Sequence, residues 1–136
     1  LIFLQIMFGA FVSGLDAGKI YQTWPMMGDN YFPNDLDMDL HNLINFDSHS
    51  LVQFYHRNLA YLIILYSAFL SLYIYKKKYL ILFKPLKILL FILFLQVVLG
   101  IFTLISGLNI YLASIHQITS VLLVLSALNL YYLRAK

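Results

Sequence analysis

The sequence predicts an all-α integral membrane protein that folds as a four-helix bundle. Hydrophobic residues make up 62% of the chain and charged residues only 11%, with a mean hydropathy of +0.81. A soluble domain of this size carries roughly 25% charged residues. The chain also contains four apolar segments that each approach or exceed the roughly 20 residues needed to cross a bilayer. Most of the protein surface is therefore expected to face lipid.

A single domain, residues 1–136, accounts for the whole chain. Its predicted helices cover about 1–21, 50–75, 85–106 and 109–133. The first segment begins inside an apolar run with no charged region before it, which is not typical of a signal peptide. We therefore expect the chain to be the later part of a longer protein.

Small residues in the first segment predict close helix packing, through the spacings Gly14-x-x-x-Gly18 and Gly9-x-x-x-Ser13. In the third segment Gln96, Gly100 and Thr103 share one helical face and are predicted to contact a neighbouring helix. The third and fourth segments are joined by little more than Gly107-Leu108. So short a connection favours adjacent antiparallel helices in a compact bundle.

Charge is distributed unequally between the two ends of the bundle. Of the nine cations, seven lie at one end: Lys76, Lys77, Lys78, Lys84, Lys87, Arg134 and Lys136. The six aspartates lie at the other end or its edge, around the long loop at about 22–49. The positive-inside rule therefore predicts cytoplasmic termini and an outer loop that lies outside. The basic residues are juxtamembrane anchors, so no nucleic-acid partner is predicted.

Two histidines lie at matched depth in separate predicted membrane helices. His56 is six residues past Ser50 and His116 is seven past Asn109, which places both roughly 9–11 Å below the outer helix ends. Ionisable groups in such helices are rare and usually face the bundle interior. Two imidazoles at one depth can ligate a b-type haem from both faces. Interhelical hydrogen bonding without a metal, and a proton or ion pathway, are the alternatives.

Polar neighbours of these histidines extend the candidate site. Arg57 would pair with a haem propionate, or its side chain would reach to the outer interface. Gln53 and Gln117 would bond a propionate or orient a ligand, or would only contact other helices. His41 and His49 lie in or beside the outer loop and are expected to be solvated or to cap the loop.

Residue types that are missing exclude several chemistries. The chain has no cysteine, which rules out disulfides, thiolate metal sites and covalent C-x-x-C-H haem attachment within it. It also has no glutamate, no Ser-His-Asp set and no phosphate-binding glycine loop. Any haem would therefore be held by non-covalent contacts and side-chain ligands.

Three motifs in order resemble the haem A synthases, closest to the proteobacterial and mitochondrial branch. The first runs through Gly9-Ala10-Phe11-Val12-Ser13-Gly14-Leu15-Asp16-Ala17-Gly18 and Tyr21-Gln22-Thr23-Trp24-Pro25-Met26-Met27-Gly28. The second is Val52-Gln53-Phe54-Tyr55-His56-Arg57, and the third is His116-Gln117. The resemblance covers nearly the whole chain.

The resemblance implies that the chain is the C-terminal half of an eight-helix protein in the bacterial inner membrane. That family oxidises the C8 methyl of haem O to a formyl group, giving haem A for cytochrome oxidase. His56 and His116 match the two histidines that ligate a non-covalently bound haem b in that family. The catalytic residues and the substrate haem O are associated with the N-terminal half. Implied partners are that half, membrane lipid, haem O synthase and an electron donor that the sequence does not identify.

Two other functions fit parts of the pattern. A membrane b-type cytochrome linked to quinol would also bind haem through His56 and His116, but a two-haem version usually needs four buried histidines. A transporter without haem would use His56 and Arg57 as a proton or anion site and would show no visible chromophore.

Overall fold

Helices account for nearly all regular structure in the computed structural model, which describes residues 1–36, 39 and 43–135. The helices are α1 (Ile2–Gly14), α2 (His49–Lys76), α3 (Leu80–Ile105) and α4 (Ile110–Ala135). A 3-10 turn, Ala17–Lys19, follows α1. In the described residues the only extended pairing is an isolated bridge between Met27 and Asn30. The all-α class and the helical membrane bundle are confirmed.

Three helices within the described part of the chain, α2, α3 and α4, are long and apolar enough to cross a membrane by length and composition. The helix α1 has 13 residues in this chain, about 20 Å at 1.5 Å per residue, whereas the hydrocarbon core is roughly 30 Å thick. The predicted extension of the first helix to Tyr21 is wrong. Asp16 adopts a left-handed conformation with φ 53°, which an α-helix cannot contain.

The third helix begins earlier than predicted, at Leu80 instead of Pro85. Lys78 has φ 56° and closes the turn after α2, so a new helix starts two residues later. Pro85 lies inside α3 and is buried. It lacks an amide hydrogen, but membrane helices tolerate proline where neighbouring groups satisfy the freed carbonyl.

Helices pack as two antiparallel pairs, α1 with α2 and α3 with α4, which are joined where α2 contacts α3. The turn between α3 and α4 uses positive φ angles at Gly107 and Leu108. The side chain of Asn109 then accepts hydrogen bonds from the backbone amides of Tyr111 and Leu112, which caps α4. The predicted tight connection between adjacent helices is confirmed.

The buried apolar core lies toward the lysine-bearing end. It is formed by side chains of α2, α3 and α4: Ile63, Ile74, Leu82, Leu86, Leu89, Leu93, Leu123 and Leu130. A cavity of about 1060 Å³ opens beside this core, and its lining includes Ile2, Tyr73 and Arg134. The histidines at positions 56 and 116 do not line it.

The connections at the end of the bundle opposite the lysine turn touch each other. A Cβ atom on Gly18 would lie 2.8 Å from Cδ2 of Leu108, so this approach is close enough to favour glycine. Gly14 has nothing within 4 Å of an added Cβ, and Gly18 lies beyond the end of α1. The predicted Gly14-x-x-x-Gly18 helix-packing motif is therefore wrong, because the chain leaves the helix between the two glycines.

Candidate functional site

His56 and His116 lie at equivalent depths on α2 and α4. His56 is seven residues after the start of α2 and His116 is six after the start of α4, so both are roughly 9–11 Å from the outer helix ends. Both side chains are partly buried. The structure thus places the two predicted ligands at one depth on separate helices.

A glutamine and a glycine of α1 contact His56. The Gln5 amide nitrogen donates to the His56 carbonyl oxygen at 3.1 Å and lies 3.2 Å from Nδ1 and 3.3 Å from Nε2 of the ring. One turn later, a Cβ atom on Gly9 would lie 3.2 Å from Cε1 of the same ring. The imidazole therefore packs directly against the α1 backbone.

The surroundings of His116 repeat this arrangement on the other helix pair. The Gln96 amide nitrogen donates to the His116 carbonyl oxygen at 2.9 Å and also contacts the Thr119 hydroxyl. A Cβ atom on Gly100 would lie 3.1 Å from Cε1 of the His116 ring. The Nδ1 atom of His116 is buried without a hydrogen-bond partner. The predicted interhelical contacts of Gln96 and Gly100 are confirmed.

Glutamine and glycine recur at one spacing in the two helices that contact the histidines. Gln5-x-x-x-Gly9 lies on α1 and Gln96-x-x-x-Gly100 lies on α3. Sequence reasoning missed Gln5 as part of the site. Aligning the first segment against the third would have identified it, because glutamine and glycine recur there at the same spacing.

Arg57 binds the outer loop through three backbone carbonyl groups. Its guanidinium donates to Tyr21 and Thr23 at 2.9 Å each, and to Met26 at 3.1 Å. Gln53, one helical turn earlier, is buried and donates to the Tyr21 carbonyl at 2.8 Å. Arg57 and Gln53 thus anchor the loop segment 21–26 to α2, beside the position of His56. Binding of a haem propionate by either residue stays a prediction.

The structure describes two of the three remaining polar residues that the sequence singles out. Gln117 is exposed on α4, and its role at a haem stays a prediction. His49 is the exposed first residue of α2. His41 lies outside the described residues.

A second group of hydrogen bonds closes the loop over α2. The Tyr21 hydroxyl donates to Asp35 at 2.7 Å, and the Ser50 hydroxyl donates to the other carboxylate oxygen at 2.6 Å. Burial alone would raise the pKa of the Asp35 carboxyl, but these two hydrogen bonds lower it below its usual value. Burial, together with the hydrogen bond and the negative charge of Asp35, raises the pKa of Tyr21.

Comparison with known proteins assigns the family. A profile of the COX15-CtaA family, described as cytochrome oxidase assembly protein, matches residues 1–128. The chain belongs to this family. The predicted resemblance is thereby confirmed.

Curated COX15-CtaA relatives of the chain carry the name Heme A synthase. The Pelagibacter ubique protein is 43% identical over 130 residues, which are 93% of this chain and 37% of that protein. The Rickettsia prowazekii protein is 36% identical over 132 residues, 97% of this chain and 40% of that protein. The Rickettsia felis protein is 36% identical over 122 residues, 90% of this chain and 36% of that protein. No solved structure matches the chain.

The chain thus spans about two fifths of the length of the curated relatives it matches. Family membership and the three apolar helices agree with an integral membrane protein. Among the described residues no three histidine, aspartate or glutamate side chains converge to hold a metal ion by themselves.

Replacing Arg57 with lysine should loosen the loop anchored on α2. Lysine lacks the planar fork that allows one guanidinium to reach three carbonyl groups. Amide hydrogen exchange in segment 21–28 should therefore become faster, whereas exchange in α3 should not change. Unchanged exchange at Met27 and Gly28, whose amides are bonded within this loop, would contradict the anchoring role.

The stability of the loop should also depend on pH, at both acid and alkaline pH. Because folding lowers the pKa of Asp35, its ionised carboxylate stabilises the loop above about pH 4, the pKa of an unfolded aspartate. This stabilisation is lost as the pH falls through the pKa of Asp35 in the folded protein. Because folding raises the pKa of Tyr21, its neutral hydroxyl stabilises the loop below about pH 10. This stabilisation is lost as the pH rises through the pKa of Tyr21 in the folded protein. Limited proteolysis of the loop across the pH range would test both. Asp35→Asn should abolish the change in proteolysis at low pH, whereas Asp39→Asn should retain that change.

Proposed function

We propose that this chain is the haem-b-binding C-terminal half of a haem A synthase. That enzyme is an oxidoreductase, and it converts the C8 methyl of haem O to a formyl group, giving haem A for cytochrome oxidase. The observation that carries the proposal is the pair of histidines at one depth, each held by the same contacts on its own helix pair. The name of the relatives, Heme A synthase, supports the reaction.

The residues present fit a haem with two histidine ligands. His116 has a buried ring nitrogen without a partner, which is costly in an apolar interior. The glycines at positions 9 and 100 bring each imidazole against a neighbouring helix with no side chain between them. Since the chain has no cysteine, covalent attachment is not available to it, and the imidazoles are its suitable iron ligands.

Each residue of the site has a distinct role in this proposal. His56 and His116 would hold the iron of haem b, which supplies one-electron redox chemistry when bound. Arg57 and Gln53 keep the outer loop fixed over the site and exclude water from it, and the buried Nε of Arg57 and Oε1 of Gln53 still lack partners. The Nε–H of Arg57 would donate to a propionate, and Oε1 of Gln53 would accept from a water bound to that propionate. Gln117 would bond a propionate or orient a ligand from the exposed side of α4.

The oxidation of haem O would take place in the N-terminal half. The chain covers about two fifths of its relatives' length, and the resemblance associates the substrate haem with the other half. This chain would therefore relay electrons to the substrate half or support its structure. Partners in that role are the N-terminal half itself, haem O synthase, an electron donor and membrane lipid.

The charge distribution supports an orientation in the bacterial inner membrane. Lys76 ends α2, and Lys77 and Lys78 lie in the turn before α3, whereas all six aspartates lie in sequence between α1 and α2. Both ends of the chain and the lysine turn would lie in the cytoplasm, with the long loop outside.

A reduced-minus-oxidised visible spectrum tests the proposed cofactor. The chain, purified in detergent from cells supplied with haem, should show a low-spin b-type spectrum. His56→Ala and His116→Ala should each abolish that spectrum, because each removes one iron ligand. His49→Ala is the matched control, since His49 is exposed at the start of α2, and it should retain the spectrum.

Two results would contradict parts of the proposal. If no chromophore forms, either with this chain alone or with it joined to the upstream part of the Pelagibacter ubique relative, then the haem-binding role is wrong. If the chromophore forms but the joined protein does not convert haem O to haem A, an electron-transfer cytochrome is the better assignment.

Cysteine labelling tests the orientation, because the chain has no cysteine of its own. Asp29→Cys lies in the outer loop and Lys77→Cys lies in the lysine turn, and both positions are exposed. A membrane-impermeant maleimide should label the first variant in intact spheroplasts and the second only after permeabilisation. The reverse pattern would overturn the assignment.

A further inference from the structure

We propose that Gln5–Gly9 on α1 and Gln96–Gly100 on α3 are two copies of one element that positions His56 and His116 as iron ligands. The inference rests on the proposed function and goes beyond it by assigning residues that set the imidazole orientation. Each copy consists of a glutamine that donates a hydrogen bond to the backbone of the histidine and a glycine that leaves space for its ring.

The glutamine of each copy fixes one helix against the next. Gln5 donates to the His56 carbonyl oxygen at 3.1 Å, and Gln96 donates to the His116 carbonyl oxygen at 2.9 Å. A helical carbonyl has a second lone pair available beyond its bond within the helix. In a membrane interior an amide is stable only where it is hydrogen-bonded, so each bond selects one register between its two helices.

The glycine of each copy then defines the space for the ring. A Cβ atom would lie 3.2 Å from the His56 ring at Gly9 and 3.1 Å from the His116 ring at Gly100. Both distances are shorter than ordinary van der Waals contact, so any larger residue would push the ring away. By contrast, Gly14 on α1 has nothing within 4 Å of an added Cβ.

The spacing of four residues links these two contacts. Residues four apart lie on the same face of a helix, one turn above each other. The glutamine therefore holds the histidine backbone while the glycine, one turn along, faces the imidazole of the same histidine. Because the element occurs once on each helix pair, it would set both ligand planes in the same way.

The two copies differ in one respect that can be tested. The Gln5 amide also lies within hydrogen-bonding distance of the His56 ring nitrogens. The Gln96 amide instead contacts the Thr119 hydroxyl, and the His116 Nδ1 atom has no partner. The His56 ring is thus held by a polar contact and by packing, whereas the His116 ring is held by packing alone.

The test uses glycine variants of the haem-loaded protein. Gly9→Ala and Gly100→Ala should each change the ferric low-spin electron paramagnetic resonance signal, which depends on the angle between the two imidazole planes. Each should also weaken haem retention by about 10-fold, as is typical when residues that orient a metal ligand are changed. Gly14→Ala, the control on the same helix as Gly9, should leave both the signal and haem retention unchanged.

Glutamine variants test the second part of the proposal, the hydrogen bond to the histidine backbone. They keep the inference falsifiable if an alanine variant does not fold. Gln5→Met and Gln96→Met retain side-chain length but remove the donor, and both should weaken haem retention. Only Gln5→Met should also shift the midpoint potential, because only the Gln5 amide lies beside an imidazole ring. Its Oε1 has no other partner and would accept from the ring N–H once the other ring nitrogen binds iron. A tenfold change in the relative affinity for ferric and ferrous iron would correspond to about 59 mV.

The outcomes separate this inference from the proposed function. If the unaltered protein binds no haem, both fail. If it binds haem and all four variants match it in signal, retention and potential, the positioning element is wrong and the haem site stands. Loss of haem in Gly14→Ala as well would show that α1 tolerates no added methyl group, and would also overturn the glycine argument.

Discussion

Two interhelical hydrogen bonds, from Gln5 to the His56 carbonyl and from Gln96 to the His116 carbonyl, join the helices of each pair at the histidines. Lipid provides no competing donors or acceptors, so a buried glutamine amide must find its partner within the protein. Each bond ties the two helices of one pair together at the depth of a histidine. The glycine one turn away then lets the imidazole contact the neighbouring backbone. Helix pairing and site geometry are thus set by the same residues.

The outer loop depends in turn on the first turns of α2. Arg57 and Gln53 bind carbonyl groups of segment 21–26, and Ser50 and Tyr21 share the carboxylate of Asp35. Burying a guanidinium is expensive unless its hydrogen bonds are made, and backbone carbonyls here satisfy most of them. One short stretch of helix therefore carries both the loop anchors and His56, so that loop position and histidine position are coupled.

Sequence alone gave a partial account of these features. Composition was sufficient for the membrane class, and matched spacing was sufficient to single out His56 and His116. The end of α1 did not follow from segment length, because apolar residues continue to Tyr21 around Asp16 and Lys19, while Asp16 adopts a left-handed conformation that ends the helix. Pro85 was treated as a helix boundary, yet it lies inside α3. In both cases a local backbone choice, which hydropathy does not report, decided the boundary.

The sequence by itself determined the helical class, the charge asymmetry, the absence of thiol chemistry and the depth of the two histidines, because these follow from residue type and counting along the chain. Only the tertiary structure decided which residues meet. It paired Gln5 with His56 across 51 positions, turned Arg57 toward the backbone of the loop, and left Nδ1 of His116 without a partner. The physical reason is that contacts between helices depend on their rotation and register, and one apolar face looks like another in a membrane segment until the polar groups have found their partners.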